Sequence, residues 1–413
     1  MNAQNTNYPN DKSEKRAFIG DILVLDLADE QGGFCSKLLA DLGARVIKVE
    51  KPEGDSSRRV GPFYDVKTDG GRSSLFFSYH NTNKLGLTLD LDKKAGRRIF
   101  HKLVKKADVL IETFPPGHLR ALRLSFGLLR HINPSLIHVS ITGFGQKGPK
   151  RHYRSCDSIA SASGGQMYVS GIPSGPPVKP PGQQSYYAAS LFGAVAVLLA
   201  LRKRKLTGKG CSIDLSTQEA VASTLDHIMV DYFDDKTIAR RQGNVYGNSL
   251  FCILPCKDGH IQITILQNWE TLLELMSSEG KADNLFQEDW QQQIYREEHF
   301  DHIMEVVGRW TRNHTKVELF ELGQAMRLPW APVDSPEEVL KSPQLAARRF
   351  FVETELPGAG LAISLPGPPY KFSSFSPPSS KAAPLLGEHT RQILEKLGVG
   401  RRRIEELAKM KVI

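Results

Sequence analysis

Between Ile22 and Glu50 the hydrophobic period of the chain switches from strand to helix and back, and this switch constrains the fold more than any other stretch. Ile22 to Leu27 is a short apolar run suited to a buried parallel strand. Gly32 to Leu42 has helical spacing, Gly43 closes it, and Arg45 to Glu50 is a second strand. That order is a βαβ unit. The pattern repeats: Leu85, Leu87, Leu89 and Leu91 alternate as a strand requires, Lys93 to Lys106 reads as a helix, and Val109 to Glu112 and Leu136 to Ile141 read as strands. The predicted fold class is α/β, with a parallel sheet in a Rossmann-like large domain. A chain of 413 residues exceeds what one core usually holds, so a second domain is expected. Its opening is read from Leu250 to Ile265, where a Lys257-Asp258-Gly259-His260 turn separates two alternating runs, and its helices from Trp269 to Gln324. Pro329-Trp330-Ala331-Pro332 returns the chain to an extended path, and Leu361 to Phe372 supplies more strand before the last helices.

Several function classes are disfavoured by the same residues. The net charge of +9 is moderate, and the cations are not interleaved with aromatic residues, which favours small anionic ligands over nucleic acid. Five cysteines without CxxC pairing indicate free thiols in a reducing cytoplasm, with no metal site. The polar start, residues 1–18, lacks an apolar h-region and reads as an arm, not a signal peptide. The apolar run Tyr186 to Leu201 falls short of the ~20 residues of a membrane span and is expected as a buried helix, ended by the cations Arg202 to Lys205. Glu50 stands where a ribose-binding carboxylate would stand in a nicotinamide dehydrogenase. The first turn, Ala28-Asp29-Glu30-Gln31-Gly32-Gly33, nevertheless lacks the G-x-G-x-x-G spacing, and its two acids would repel a pyrophosphate.

Ligands of open α/β sheets sit at the carboxyl ends of strands, where Gln31, Lys51, Thr113, Phe114, Thr142 and Phe144 fall. The plain explanation for Lys51 and Lys84 is solvated lysine, and for Phe114 and Phe144 ordinary packing. Farther on, Ile141 to Gly165 runs from a strand into a Gly/Pro-rich loop that delivers Asp157. Followed by Ser158, Ile159, Ala160, Ser161 and Ala162, Asp157 makes a reasonable N-cap for a small-residue helix. A carboxylate can also attack an acyl carbonyl and form a covalent intermediate. The next segment, SGIPSGPPVKPPGQQ, reads as a surface loop.

Taken as an ordered set, LADLGARVIKVEKPEGD, NTNK, ITGFGQKGP, the Asp157 segment, TGKGCSIDLS and PLLGEHTRQILEKLG resemble the family III (CaiB/BaiF-type) CoA-transferases. The resemblance implies an enzyme with an acyl-CoA donor, a carboxylic acid acceptor, and Asp157 as the nucleophile. It implies CoA esters as substrates, with no permanently bound cofactor. By the same resemblance Gln31 is an active-site glutamine, Lys51 a basic residue over the CoA adenine end, Asn83 and Lys84 a CoA-contacting pair, Thr113 and Phe114 the edge of the CoA channel, and Phe144 a gating aromatic. Gly164, Gly165 and Gln31 are the candidate oxyanion donors. The small domain becomes an insertion, giving a large domain over 19–225 and 330–413 and a small domain with linkers over 226–329. Members of the family form interlocked dimers, so a homodimer or a heteromer with a related family III chain is expected. The members that pass CoA from succinyl-CoA to (R)-benzylsuccinate in anaerobic toluene breakdown are the nearest in pattern. Three places depart from the family: Gly32-Gly33-Phe34 replaces AGP, Cys156 precedes the aspartate, and Ala121, flanked by Arg120 and Arg123, stands where an arginine is common. An α-methylacyl-CoA racemase, which commonly carries His in the place of Cys156, and a non-catalytic sister subunit are the alternatives.

Overall fold

Six short strands pair side by side, all parallel: β1 (Leu23–Leu27), β2 (Arg45–Glu50), β3 (Lys84–Thr88), β4 (Val109–Glu112), β5 (Ile137–Thr142) and β6 (Ser212–Ser216). Their order is β3-β2-β1-β4-β5-β6. The structure is a computed structural model that describes residues 18–67, 71–246, 251–266, 268–374 and 380–413. The N-terminal arm up to residue 17, and Leu250 at the expected start of the hairpin, lie outside the described residues.

Both faces of the sheet are covered, which is why its central strands read as apolar runs. The two-residue period divides their side chains between two cores. Leu25, Ile47, Leu87 and Leu110 face the helices Lys94–Val104, Phe126–Ile132 and, from the end of the chain, Thr390–Lys396 and Arg401–Lys409. Val24, Val46, Val109 and Val139 face the opposite way, toward α1 (Gly33–Asp41) and the long helix that follows the Asp157 segment.

That segment forms α2 (Asp157–Ser163), and the long helix is α3 (Gln184–Thr207), of 24 residues. The expected buried helix is therefore longer than its apolar run, because Arg202 to Lys205 are good helix formers and the chain turns only at Gly208, with φ 69°. Burial is also one-sided. Ser185, Ala189, Gly193 and Val197 lie on the inner face, whereas Leu191, Phe192, Val195 and Leu199 are about half exposed or more. Small inner residues let α3 approach closely: a Cβ on Gly193 would meet Cys35 Sγ at 3.1 Å. By length and composition α3 is apolar enough to cross a membrane, yet its inner stripe packs into the core with Ile141 and Val139.

The chain divides into two compact units, 1–166 with 179–230 and 346–413, and 167–178 with 231–345. The second has its own core around Trp269, Trp310 and Trp330, beneath a sheet built on the hairpin Phe251–Cys256 and Gly259–Thr264. The boundary expected at 329/330 thus falls at 345/346, because Trp330 is buried in this core and Ala331–Pro332 pairs with the hairpin as an edge strand.

A buried ionic cluster joins β1, β3 and α1. Asp26, the single acid in the apolar strand LVLDL, accepts from Lys84 Nζ at 2.9 Å and from Ser36 Oγ at 2.7 Å. Lys84 also donates to Gly33 O, Ser36 Oγ and Asn81 Oδ1 at 2.8–3.1 Å, and its side chain is 0% exposed. Burial alone would raise the Asp26 carboxyl, but Lys84 and Lys48 hold it below its ordinary value. Lys84 therefore opens β3 at its amino end as a structural counter-charge, which corrects its reading as a solvated lysine and leaves none of its side chain exposed for the CoA contact that the resemblance implies. Removing one member of a buried pair leaves the other uncompensated, at a cost of about 3–5 kcal/mol. We expect Lys84→Met to lower the unfolding free energy by about that amount in urea titrations followed by circular dichroism; a change below about 1 kcal/mol would show that the cluster does not hold the strands together.

Candidate active site

Asp157 occupies the first position of α2, but its carboxylate does not cap that helix. Cys156 is the N-cap residue, without a side-chain bond to the helix amides. The carboxylate turns instead to α3, where Oδ1 accepts from Ser185 N at 3.0 Å and Tyr186 N at 3.3 Å, while Ser185 Oγ donates to Asp157 O at 3.0 Å. The first-turn amides of a helix have no partner within it, and Gln183, the N-cap of α3, supplies no side-chain cap. Asp157 fills that role from 28 residues away, at the end of the helix where its dipole favours negative charge. Oδ2 is buried with no hydrogen-bond donor aligned on it, and Lys179 Nζ lies 2.9 Å away. Lys179 also donates to Pro180 O at 3.0 Å and to Gly182 O.

The local sequence dictates this placement. Small residues of α2 bury Ala160 and Ser161, and a Cβ on Gly164 would lie 2.6 Å from Val221 Cγ1. Gly164 N and Gly165 N bond to Ala160 O at 2.8 Å and Ala162 O at 3.2 Å. These two glycines are packing and helix-ending residues here, which removes them as the expected oxyanion donors. Beside Asp157, Cys156 is exposed, and a hydrogen bond with Ser158 Oγ is the main cause that holds its thiol below the ordinary value.

A second cluster ties the carboxyl ends of β1 and β4. Thr113 Oγ1 accepts from Asp29 N at 3.0 Å and donates to Asp29 Oδ1 at 2.8 Å. Gln31 donates to the same carboxylate through its backbone at 3.0 Å and through one N–H of Nε2 at 3.3 Å, which holds its side chain on Asp29. Burial, first, and neighbouring Glu30 push the Asp29 carboxyl up to about 6. Buried Tyr186 links the clusters: burial and the fields of Asp29, Glu30, Cys156 and Asp157 all raise its phenol. Tyr187 turns to an aromatic group, edge to face with Phe34 at 4.9 Å and stacked with His80 at 5.8 Å, where burial lowers the imidazole to about 4.

The remaining expected residues are dispersed. Phe114 packs on His118, ring centroids 4.7 Å apart, and Arg120 is exposed two residues farther on. Lys51 pairs with Asp92 at 3.1 Å, half exposed. Phe144 meets Tyr153 edge to face at 6.3 Å. Asn83, with φ 64°, donates to Asp41 Oδ1 at 3.0 Å and accepts from Lys381 N at 2.8 Å, on the rim of a cavity of about 210 Å³ shared with Lys37 and Arg349. Sequence reasoning missed Lys179, Ser185 and Tyr186. For Ser185 and Tyr186 the signal is the first turn of α3 directly after a Pro-rich loop.

The raised Asp29 pKa carries a pH signature. A group whose folded pKa lies above its unfolded value of 3.8 stabilises fully below that value, and this contribution is lost as pH rises through about 6. We expect Asp29→Asn to gain stability over the wild type between pH 4 and 7, by about 1–3 kcal/mol after allowing for partial solvent screening. Parallel melting curves of the two proteins across that range would refute the assignment.

Comparison with known proteins places the chain in a family. Residues 19–390 match the sequence model of CoA-transferase family III. The chain is 35% identical over 396 residues to the BbsE subunit of succinyl-CoA:(R)-benzylsuccinate CoA-transferase from Thauera aromatica, covering 94% of this chain and 96% of that one. It is 33% identical to succinyl-CoA:mesaconate CoA-transferase from Haloarcula hispanica, covering 92% and 97%. Among solved structures, a CaiB/BaiF family protein from Brucella suis superposes with a TM-score of 0.84 at 29% identity, over 91% of this chain and 98% of that one. A family match over this much of the chain, two relatives above 30% identity and the shared fold lead to one conclusion: the chain belongs to CoA-transferase family III and is a CoA-transferase.

Proposed function

We propose that this enzyme passes CoA from succinyl-CoA to a free carboxylic acid through covalent intermediates on Asp157, with (R)-benzylsuccinate as the acceptor. The observation that carries the reading is the asymmetry of the Asp157 carboxylate, whose Oδ1 is fixed by two amides while buried Oδ2 has no aligned donor. A nucleophile requires such a fixed group with one lone pair available. Oδ2 attacks the thioester carbon of the donor, and the C–S bond breaks to give a mixed anhydride and CoA thiolate. The thiolate then attacks the aspartyl carbonyl, releasing succinate and leaving an aspartyl-CoA thioester. The acceptor carboxylate repeats the two steps in reverse and leaves as its CoA ester, restoring Asp157.

The choice of donor is supported by relatives whose names specify succinyl-CoA, and the acceptor by the BbsE relative. CoA is proposed to lie along the β1–β4 edge at Gln31, Thr113 and Phe114, with Lys51 and Arg120 as the cations available to its phosphates and Phe144 as the gate. The word subunit in the relative's name, and the exposed Leu191, Phe192, Val195 and Leu199 face of α3, support assembly as a dimer with itself or with a related chain. A racemase lacks comparable support, because exposed Cys156 stands in the place of its usual histidine.

Asp157→Asn keeps an oxygen to accept from Ser185 and Tyr186, so folding should persist while CoA exchange falls more than about 1,000-fold. With succinyl-CoA and hydroxylamine, the wild type should carry a hydroxamate on Asp157 by mass spectrometry. Full turnover by the Asn variant would sink the nucleophile. For assembly, native mass spectrometry at low protein concentration should show a dimer, alone or with a co-expressed family III chain; a fully active monomer would exclude it.

A further inference from the structure

Resting on Asp157 as the nucleophile, we propose that Lys179 is the electrostatic catalyst of the transfer, its ammonium following the negative charge from the Asp157 carboxylate to the oxyanion and then to the CoA thiolate. Three observations lead there. The ammonium stands 2.9 Å from Oδ2, the oxygen that the α3 amides leave available. Of the amides that the sequence offers for oxyanion stabilisation, Gly164 and Gly165 are occupied by Ala160 O and Ala162 O, and the Gln31 side chain is tethered to Asp29 through one N–H. Lys179 is also held in a fold of neutral acceptors, Pro180 O and Gly182 O, on a turn where Gly182 takes φ 75° and Gln184 Nε2 donates to Pro181 O at 3.1 Å. Carbonyls orient an ammonium without neutralising it, so its charge remains available to the site.

The electron flow requires such a group. As the Oδ2 lone pair forms the new C–O bond, the carbonyl π pair of the thioester moves onto its oxygen. That oxyanion is attached to the same carbon as Oδ2, within reach of an ammonium already beside Oδ2. When the carbonyl re-forms, the C–S bond breaks and its electron pair leaves on sulfur. One negative charge has moved from carboxylate to oxyanion to thiolate, and no proton has been transferred; Lys179 stays protonated throughout. Its side chain is 31% exposed, which leaves it room to shift along this path while Asp157 stays pinned. A preorganised donor facing developing charge contributes more to the transition state than to substrate binding.

The test is single-turnover labelling of Asp157 as hydroxamate with succinyl-CoA and hydroxylamine, run on the wild type, Lys179→Met, Lys179→Gln and Lys179→Arg, alongside steady-state kinetics and thermal melts. Removing the charge should slow labelling and kcat about 100-fold while KM for succinyl-CoA stays within about 3-fold; Arg should recover most of the rate, and the melts, run because removing Lys179 leaves the buried Oδ2 without its counter-charge, confirm that each variant is folded at the assay temperature. Wild-type labelling rates in both neutral variants overturn the role of Lys179 and leave the nucleophile standing. A raised KM with unchanged kcat also overturns it, since that marks ground-state binding. Absence of label on wild-type Asp157 overturns the nucleophile itself, and the inference with it.

Discussion

The first turn of α3 and the Asp157 carboxylate each supply what the other lacks, and the geometry of the site depends on that exchange. A helix start leaves amides without acceptors, and Gln183 offers no cap. A buried carboxylate without donors is costly by several kcal/mol. Charge-assisted bonds from Ser185 N and Tyr186 N offset both costs at once. The position of the carboxylate is consequently inherited from the position of α3, which is set by its small inner face. Gly193 against Cys35 and Ala189 within the shared core bring the helix axis near α1 and β5. A larger residue on that stripe would displace the helix start, and Asp157 with it, without touching the site.

The sheet order places a topological switch point between β1 and β4, where open α/β sheets hold their ligands. In dinucleotide-binding proteins a glycine-rich turn there lets a pyrophosphate reach helix amides. Here the two strand ends are bound to each other through Asp29 and Thr113, and a Cβ on Gly32 would stand 2.8 Å from Thr113 Cγ2. Glycine at 32 therefore serves close packing of protein on protein. Charge and space both turn a pyrophosphate away from the α1 amides at this turn, although the fold around it is Rossmann-like; on the proposed placement of CoA its phosphates lie off this turn, toward Lys51 and Arg120.

The central strands were legible in the sequence because burial on both faces makes them continuous apolar runs; β1, β2, β4 and β5 fall within one residue of their expected bounds. β6, SIDLS, was read only as part of a family motif, since at the sheet edge it keeps polar residues on its exposed side. The hairpin strand Phe351–Leu356 escaped for the same reason, alternating acids with apolar residues. Lys84 shows where motif reading exceeds physics. NTNK marks the family, but the fate of its lysine depends on Asp26, 58 residues earlier. A lone acid inside an apolar strand requires a buried counter-charge, and that signal was present. Lys179 carried no comparable signal, because only the folded turn at Pro180–Gly182 aims its ammonium at Asp157.

Capping of α2 and catalysis had stood as rival explanations of Asp157; the carboxylate caps α3 instead, and its two oxygens make that cap compatible with the proposed chemistry. Capping α3 engages Oδ1 alone, leaving Oδ2 for chemistry. On the proposed mechanism the cap then becomes part of the reaction. Once Oδ2 is acylated, Oδ1 is the carbonyl oxygen of the anhydride and still faces Ser185 N and Tyr186 N. Attack of the thiolate on the aspartyl carbon drives negative charge onto Oδ1, into donors that were aligned before substrate arrived. On that mechanism those amides would act as the oxyanion hole of the second step, as the Lys179 ammonium is proposed to stabilise the charge of the first. On this proposal each half of the exchange would develop its charge against a different partner, and a single carboxylate could serve both because the helix start that anchors it would also polarise it.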